Sequence, residues 1–184
     1  MKFTLALATL VATISVTMAA ACTGITDAGV EHIKSFEKLV KDVKNDPVGN
    51  PTVGYGHKCQ KKNCSEVKYK FPLTEKTASK LLNDDITHFT SCLEGALGKK
   101  VRLNQNQWAA LTSWAFNVGC GAMEGSDLIK RLNKGESPNT VASEELPRWN
   151  KANRKVLKGL IRRREAEVEM HNTDNADEAY PDCA

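Results

Sequence analysis

Between residues 35 and 57 the chain reads SFEKLVKDVKNDPVGNPTVGYGH. Three side chains in this run could do chemistry together: Glu37, Asp46 nine residues on, and Thr52 six beyond that. Each has an ordinary reading of its own. Glu37 could pair with Lys34 or Lys41 on a helix surface. Asp46 before Pro47 is turn chemistry, and Thr52 is a good strand residue. Taken together they place an acid, a second carboxylate and a hydroxyl around one turn. Glycoside hydrolysis uses such a set, with a carboxylic acid protonating the leaving oxygen and a carboxylate across the bond activating water. Glu37 falls near the C-terminal end of an expected helix. There the negative end of the helix dipole works against a bare carboxylate, which suits a proton donor. Gly54 and Gly56 flank Tyr55, the mark of a strand that something approaches closely.

The elements that must hold these groups follow from periodicity. A helix is expected over 27–40, capped by Thr26 or Asp27, with Val30, Ile33, Phe36 and Val40 at helical spacing. NDPVGNP, residues 45–51, is turn chemistry. TVGYGH and VKYKF alternate as short strands around a tip at Cys59 and Cys64. Such a sheet is too small to stand alone and must lean on helices. After Pro72 the chain reads as helix. Thr74 caps a long one with Ala78, Leu82, Ile86, Phe89, Leu93 and Leu97 on one face, about 36 Å if it reaches Leu97, enough to bridge two lobes. LNQNQWAALTSWAFNVG has Asn104 as cap, Gln107 three residues on, and almost no polar face, so this helix is expected to be buried and to end at Gly119. SDLIKRLNKG and KVLKGLIRRREAEVEMH supply two amphipathic helices, and the polar, acidic tail from Asn172 is expected to be loose apart from Cys183. The fold class is therefore α+β: a small antiparallel sheet lobe, a larger helical lobe, and a cleft between them.

Composition bounds the rest. MKFTLALATLVATISVTMAAAC has a positive start at Lys2, an apolar run from Leu5 to Val16 and small residues at Ala19–Ala21. This reads as a secretory signal peptide over 1–21, leaving 22–184 as one domain. No leucine stands three residues before Cys22, which argues against lipidation there. The formal net charge of +4 falls to +3 without Lys2. That suits an anionic polymer surface and is too small for nucleic acid. No later apolar stretch could span a bilayer. Six cysteines behind a signal peptide read as disulfides, with 15 pairings open. Cys59 and Cys64 flank QKKN, read as a hairpin tip, and are expected to pair, while Cys22, Cys92, Cys120 and Cys183 stay unassigned. A zinc site at His57, Cys59 and Cys64 lacks a fourth ligand, so neither metal nor cofactor is expected.

The run E37-x8-D46-x5-T52-V-G-Y-G-H57 resembles the catalytic signature of phage-type (T4-like) lysozymes and endolysins, glycoside hydrolase family 24. LNQNQWAALTSWAFNVGCGA resembles that family's central buried helix, and RWNKANRKVLKGLIRRREAE its final helix. The resemblance implies a lysozyme-like fold and hydrolysis of the β-1,4 bond between N-acetylmuramic acid and N-acetylglucosamine in bacterial peptidoglycan. It makes Glu37 the general acid, Asp46 the partner carboxylate that positions or activates water, and Thr52 the hydroxyl that holds it. The family generally inverts, which needs the carboxyl groups roughly 6.5–9.5 Å apart. Tyr55, His57 and Arg154 are candidates for substrate contact. Of these, His57 reads more as structural than catalytic, and Arg154 aligns, across a gap, with an arginine that pairs with the acid. Arg163, Arg164 and Glu167 form either an ion-pair network or a solvated basic face. The signal and the cysteines depart from phage members that act inside the host. They imply a secreted, disulfide-stapled monomer without a separate wall-binding module. Two other classes stand beside this reading: a catalytically silent peptidoglycan-binding relative, and a cationic membrane-active protein working through KANRKVLKGLIRRR. The intact Glu37, Asp46 and Thr52 set argues against the first, and the small net charge against the second.

Overall fold

The computed structural model describes residues 24–46 and 49–181. The expected signal peptide and the cysteines at 22 and 183 lie outside them. Helix α1, Asp27–Phe36, starts where Thr26 Oγ1 accepts from the Gly29 amide at 3.2 Å. It stops earlier than its periodicity suggests, because Glu37 is extended, at φ −111° and ψ 135°. Val40 is therefore not helical. It opens strand β1, Val40–Asn45, whose sequence VKDVKN places β-branched residues three apart and satisfies its backbone on a neighbouring strand.

β1 pairs antiparallel with β2, Pro51–Gly54, and β2 with β3, His57–Lys58. The register sets Lys44 opposite Thr52 and Thr52 opposite Lys58. VKYKF, expected as a strand, is irregular and joins no ladder. Its alternation still turns Val67, Tyr69 and Phe71 toward the interior, where they pack on the sheet lobe's core. Just beyond it, the Leu73 amide bonds to the Lys41 carbonyl at 2.8 Å, and Tyr69 Oη donates to Asp84. Period-2 patterning thus marked inward-facing residues, while β1 became the third strand. Cys59 and Cys64 are paired at the tip, with Cα atoms 4.7 Å apart.

Helix α2, Glu75–Ala96, is capped reciprocally by Thr74 and Thr77 and spans about 33 Å. It bridges the lobes as expected. Ala78, Leu81, Leu82 and Ile86 pack with Ile33, Val53 and Leu73 under the sheet. Leu93 and Leu97 belong instead to a larger cluster built on Trp108, Leu111 and Trp114. Those last three lie on α3, Gln105–Val118, which is capped by Asn104 and Gln107 and buried at every position from Trp108 to Ala115. α3 ends at Gly119, whose φ of +87° favours glycine. Four more helices close the larger lobe: α4 (Cys120–Glu124), α5 (Asp127–Asn133), α6 (Pro138–Glu145) and α7 (Lys158–Asn172). A second disulfide, Cys92–Cys120, ties α2 to α4.

Strands β4 (Leu103–Asn104) and β7 (Glu178–Tyr180) pair with each other, and β5 (Lys151–Ala152) and β6 (Lys155–Val156) form an exposed hairpin. The tail is thus not loose. Tyr180 is buried, stacks on Trp108 with centroids 5.5 Å apart, and donates to the Leu97 carbonyl at 2.8 Å. Burial of Ala179 and Tyr180, together with pairing of β7 to β4, docks an otherwise acidic segment. No helix among the described residues is long and apolar enough to cross a membrane.

Candidate active site

Glu37 projects from the end of α1 into a cavity of about 410 Å³ between the lobes. The same cavity is lined by Asp46 and Thr52 from the sheet side and by Phe116 and Asn117 from the last turn of α3. The fold therefore brings the three candidate groups to one space. A second hollow of about 480 Å³, lined by His57, Asp85, His88 and Phe89, shares Gly56, Lys58, Phe116 and Asn117 with the first. The two hollows therefore adjoin along these four residues.

What aims Glu37 is a buried arginine. Arg163 Nη1 donates to Glu37 Oε1 at 2.7 Å. The guanidinium also donates from Nε to Glu167 Oε1 at 3.2 Å and from Nη2 to the Ser113 carbonyl at 3.2 Å. It lies over the Phe36 ring, 5.4 Å from its centroid. Arg164 joins from the next position, with Nη2 donating to Glu167 Oε1 at 2.9 Å and to Asn117 Oδ1 at 3.1 Å. Ser113 Oγ completes the set on Glu167 at 2.8 Å. Glu167 is fully buried, and burial pushes its carboxyl upward while the two arginines oppose the shift. Burial likewise draws Arg164 down to about 10. Between the two readings of Arg163, Arg164 and Glu167, the structure shows the network, and it is buried.

The arginine at Glu37 is thus Arg163 and not Arg154. Arg154 sits exposed in the turn between β5 and β6, at φ +63°. The gapped match landed nine residues short in the same basic stretch, where one arginine looks much like another. Burial of Arg163 and Arg164 also removes two cations from the surface that a membrane-active helix would need.

Gly56 explains the glycine-rich strand end. Its φ is +85°, and a Cβ there would stand 3.2 Å from Glu37 Oε2 and 3.4 Å from the Phe116 ring. The backbone can pass this close to the acid only without a side chain. Tyr55, between the glycines, points inward: it is buried with the sheet-lobe core, and Lys34 Nζ lies 5.2 Å over its ring. It lines neither of these two hollows. His57 is held at both ring nitrogens, Nδ1 by Asp85 at 2.9 Å and Nε2 by Glu66 at 3.3 Å. The bond to Asp85 raises its pKa. It clamps β3 to α2 and to the disulfide loop.

On the far wall, the Asp46 carboxylate accepts from the Asn50 amide at 2.8 Å and from Asn50 Nδ2 at 3.1 Å. That turn fixes the carboxylate in place. Thr52 Oγ1 donates to the Lys44 carbonyl at 3.1 Å, which leaves its lone pairs free to accept. Arg163 and Asn117 are the residues that sequence reasoning did not tie to the site, whereas the close approach expected at the glycines is seen at Gly56. Arg163 and Glu167 do stand at helical i,i+4 spacing, but nothing in that spacing points 126 positions back to Glu37.

The chain is similar to known proteins over most of its length. The Phage lysozyme family profile matches residues 34–167. The endolysin of Bacillus phage PZA is 41% identical over 151 residues, covering 81% of this chain and 55% of that protein. The endolysin of Salmonella phage P22 is 32% identical over 76% of this chain and 92% of its own length. The chain spans about half the length of the two Bacillus phage endolysins it matches. Among solved structures, the muramidase domain of SpmX from Asticaccaulis excentricus superposes with a TM-score of 0.68 at 33% identity, covering 82% of this chain and 98% of that one. A P22 lysozyme gives 0.67 at 29% identity, over 82% and 99%. The matched span runs from just before Glu37 to Glu167, the two ends of the charged network behind the cleft, and the chain belongs to the phage lysozyme family.

Proposed function

We propose that this chain is a secreted muramidase of glycoside hydrolase family 24, cleaving the β-1,4 bond between N-acetylmuramic acid and N-acetylglucosamine in bacterial peptidoglycan with inversion. Residues 1–21 are its cleaved signal and 22–184 its catalytic domain, working as a monomer without a cofactor. The observation that carries the reading is the orientation of Glu37. Arg163 occupies Oε1, so the proton to be given rides on Oε2, the oxygen that faces the bare backbone of Gly56. A glycosidic oxygen lying on that glycine can take it.

Across the cavity the Asp46 carboxylate and the Thr52 hydroxyl line one wall, and Thr52 Oγ1, which donates to the Lys44 carbonyl, can still accept. A water donating one hydrogen to each has its own lone pair directed into the cleft, toward the anomeric carbon. As the C–O bond breaks, Glu37 Oε2 protonates the departing oxygen, water attacks from the opposite face, and Asp46 takes its proton. Each carboxyl ends in the other's starting state, and exchange with solvent resets them. Conversion of Glu37→Gln keeps the shape and removes the proton donor. Release of reducing ends from purified peptidoglycan should fall by at least two orders of magnitude. Undiminished release would remove Glu37 from the role of acid. Proton NMR of fresh product reads the anomer, and a retained β configuration would overturn inversion.

A further inference from the structure

We propose that the sheet lobe is a recognition surface for a phosphate-bearing polymer carried on the same wall strand that the cleft cuts, an inference that rests on the muramidase reading. The starting observation is where the charge lies. Residues 37–70 hold eight lysines against four acids, while the remainder of the chain holds 18 cationic and 18 acidic side chains. The whole formal excess of +4 therefore sits in this one lobe. Two of its four acids, Glu37 and Asp46, face the cavity, and a third, Glu66, is engaged by His57 and by the Gln60 and Lys61 amides.

All eight lysines are exposed, and none forms an ion pair among the described residues. Elsewhere Arg131, Arg148, Arg163 and Arg164 are each bound to carboxylates, and lysines such as Lys99, Lys134 and Lys155, which like the eight form no ion pair among the described residues, are balanced by an equal count of acids. Three of the eight lysines, Lys38, Lys44 and Lys58, line the catalytic cavity. Lys44 and Lys58 are the direct cross-strand neighbours of Thr52, one on each side. Cross-strand neighbours share a sheet face at spacings of about 4.5–5.5 Å, so two cations roughly 10 Å apart bracket the hydroxyl of the site. Like charges held this way repel each other unless an anion joins them. The other five, Lys41, Lys61, Lys62, Lys68 and Lys70, stand exposed on β1, on the disulfide loop and on the segment beyond it.

The form of the patch selects its partner. A stem peptide carries a few carboxylates at fixed geometry, which one or two bidentate arginines would read best. This lobe has no arginine, and its lysines are spread over a surface that extends well past the cavity. Compact, freely rotating ammonium groups suit a repeating phosphodiester whose charges recur along a flexible chain. A polyol-phosphate polymer attached to the glycan strand has that chemistry.

The test uses Glu37→Gln as a probe that binds without cutting. Its affinity is measured by co-sedimentation with Gram-positive walls, either intact or stripped of phosphodiester-linked polymer by hydrofluoric acid. Intact walls should bind on the order of tenfold tighter at about 50 mM salt, with the advantage largely gone at about 200 mM. Replacing Lys41, Lys61, Lys62, Lys68 and Lys70 by Gln should abolish the advantage and leave binding to stripped walls unchanged, and replacement by Arg should restore it. Equal binding to intact and stripped walls overturns the proposal, as does an advantage that survives the five Gln substitutions. Loss of binding to stripped walls as well would reassign the lysines to stem-peptide carboxylates, and preference for anionic lipid vesicles over intact walls would reassign them to a membrane. If the unsubstituted protein cuts neither wall preparation, the muramidase reading fails on its own, and the binding comparison still decides this one.

Discussion

In the sheet lobe, polar groups lie at the surface and are held by backbone turns: Asp46 by the Asn50 amide, Thr52 by the Lys44 carbonyl. In the helical lobe they are buried and held by one another: Glu167 by Arg163, Arg164 and Ser113. The two arrangements suit two tasks. On the mechanism proposed above, Asp46 and Thr52 must meet water and substrate, and a turn fixes such groups while keeping them at the surface. A group that must keep an acid aimed needs rigidity, and a desolvated charge network supplies it because every alternative leaves a charge unpaired in low dielectric. Glu37 stands at the junction, with one oxygen on the network and the other toward the cleft.

That contrast can be broken most severely at Glu167. Glu167→Ala leaves the buried Arg164 without a carboxylate and Arg163 with Glu37 alone, and should cost about 3–5 kcal/mol. Asp46→Ala, on the solvent side, should cost under about 1 kcal/mol while abolishing hydrolysis. Urea unfolding of both variants reads the difference, and similar midpoints would mean that burial does not separate the two lobes. The disulfides offer a second comparison. Cys92–Cys120 closes a span of 28 residues and Cys59–Cys64 one of 5. On loop-closure entropy alone, replacing the first pair by Ala should cost about 3.6 kcal/mol and the second about 2 kcal/mol. Thermal unfolding with the opposite order would show that the short bridge acts by shaping the tip.

Within the sheet lobe the glycines sharpen the argument about close approach. Gly56 and Gly49 both have positive φ, +85° and +94°, but only Gly56 has atoms of the acid within reach of an added Cβ. Gly49→Ala should cost about 1 kcal/mol and leave the rate nearly intact, whereas Gly56→Ala should cost about 2 kcal/mol and displace Glu37, lowering kcat at least tenfold. Equal losses of kcat would show that backbone strain alone matters. The smallest effect is a dependence on pH. His57 has its pKa raised above 6.5 by Asp85, so the pair stabilises the fold fully below pH 6.5 and loses that contribution as pH rises through the folded value. Asp85→Asn should therefore lower stability by about 1 kcal/mol at pH 5.5 and by less at pH 8.5. His171, buried in the helical lobe, runs the other way: its pKa falls to about 4, so its contribution is lost as pH drops from 6.5 toward that value. A penalty for Asp85→Asn that grows with pH would contradict the pairing.

Much of this was legible before any coordinates. Caps and apolar periodicity placed α2 and α3 within a residue or two at either end, because Thr74 and Asn104 act on the backbone a few positions away. The extent of α1 was not legible, since Val40 fits a helical stripe as well as a strand, and only pairing with Gly54 chose between them. The tail was misjudged for a related reason: its acidic composition outweighed Ala179 and Tyr180, and nothing local announces that Trp108 waits to stack on that tyrosine.

By itself, then, the sequence determined the chemistry on offer and the turn that presents it. Glu37, Asp46, Thr52 and Gly56 lie within twenty residues, where spacing and turn residues act directly on the backbone. Only the tertiary structure decided which arginine serves the acid. Arg163 and Arg154 belong to one basic stretch, and helical spacing permits either to face solvent. Packing α7 against α3 buries the first beside Ser113 and Glu167 and leaves the second on a hairpin turn, and a buried guanidinium takes the carboxylate that its surroundings bring within reach.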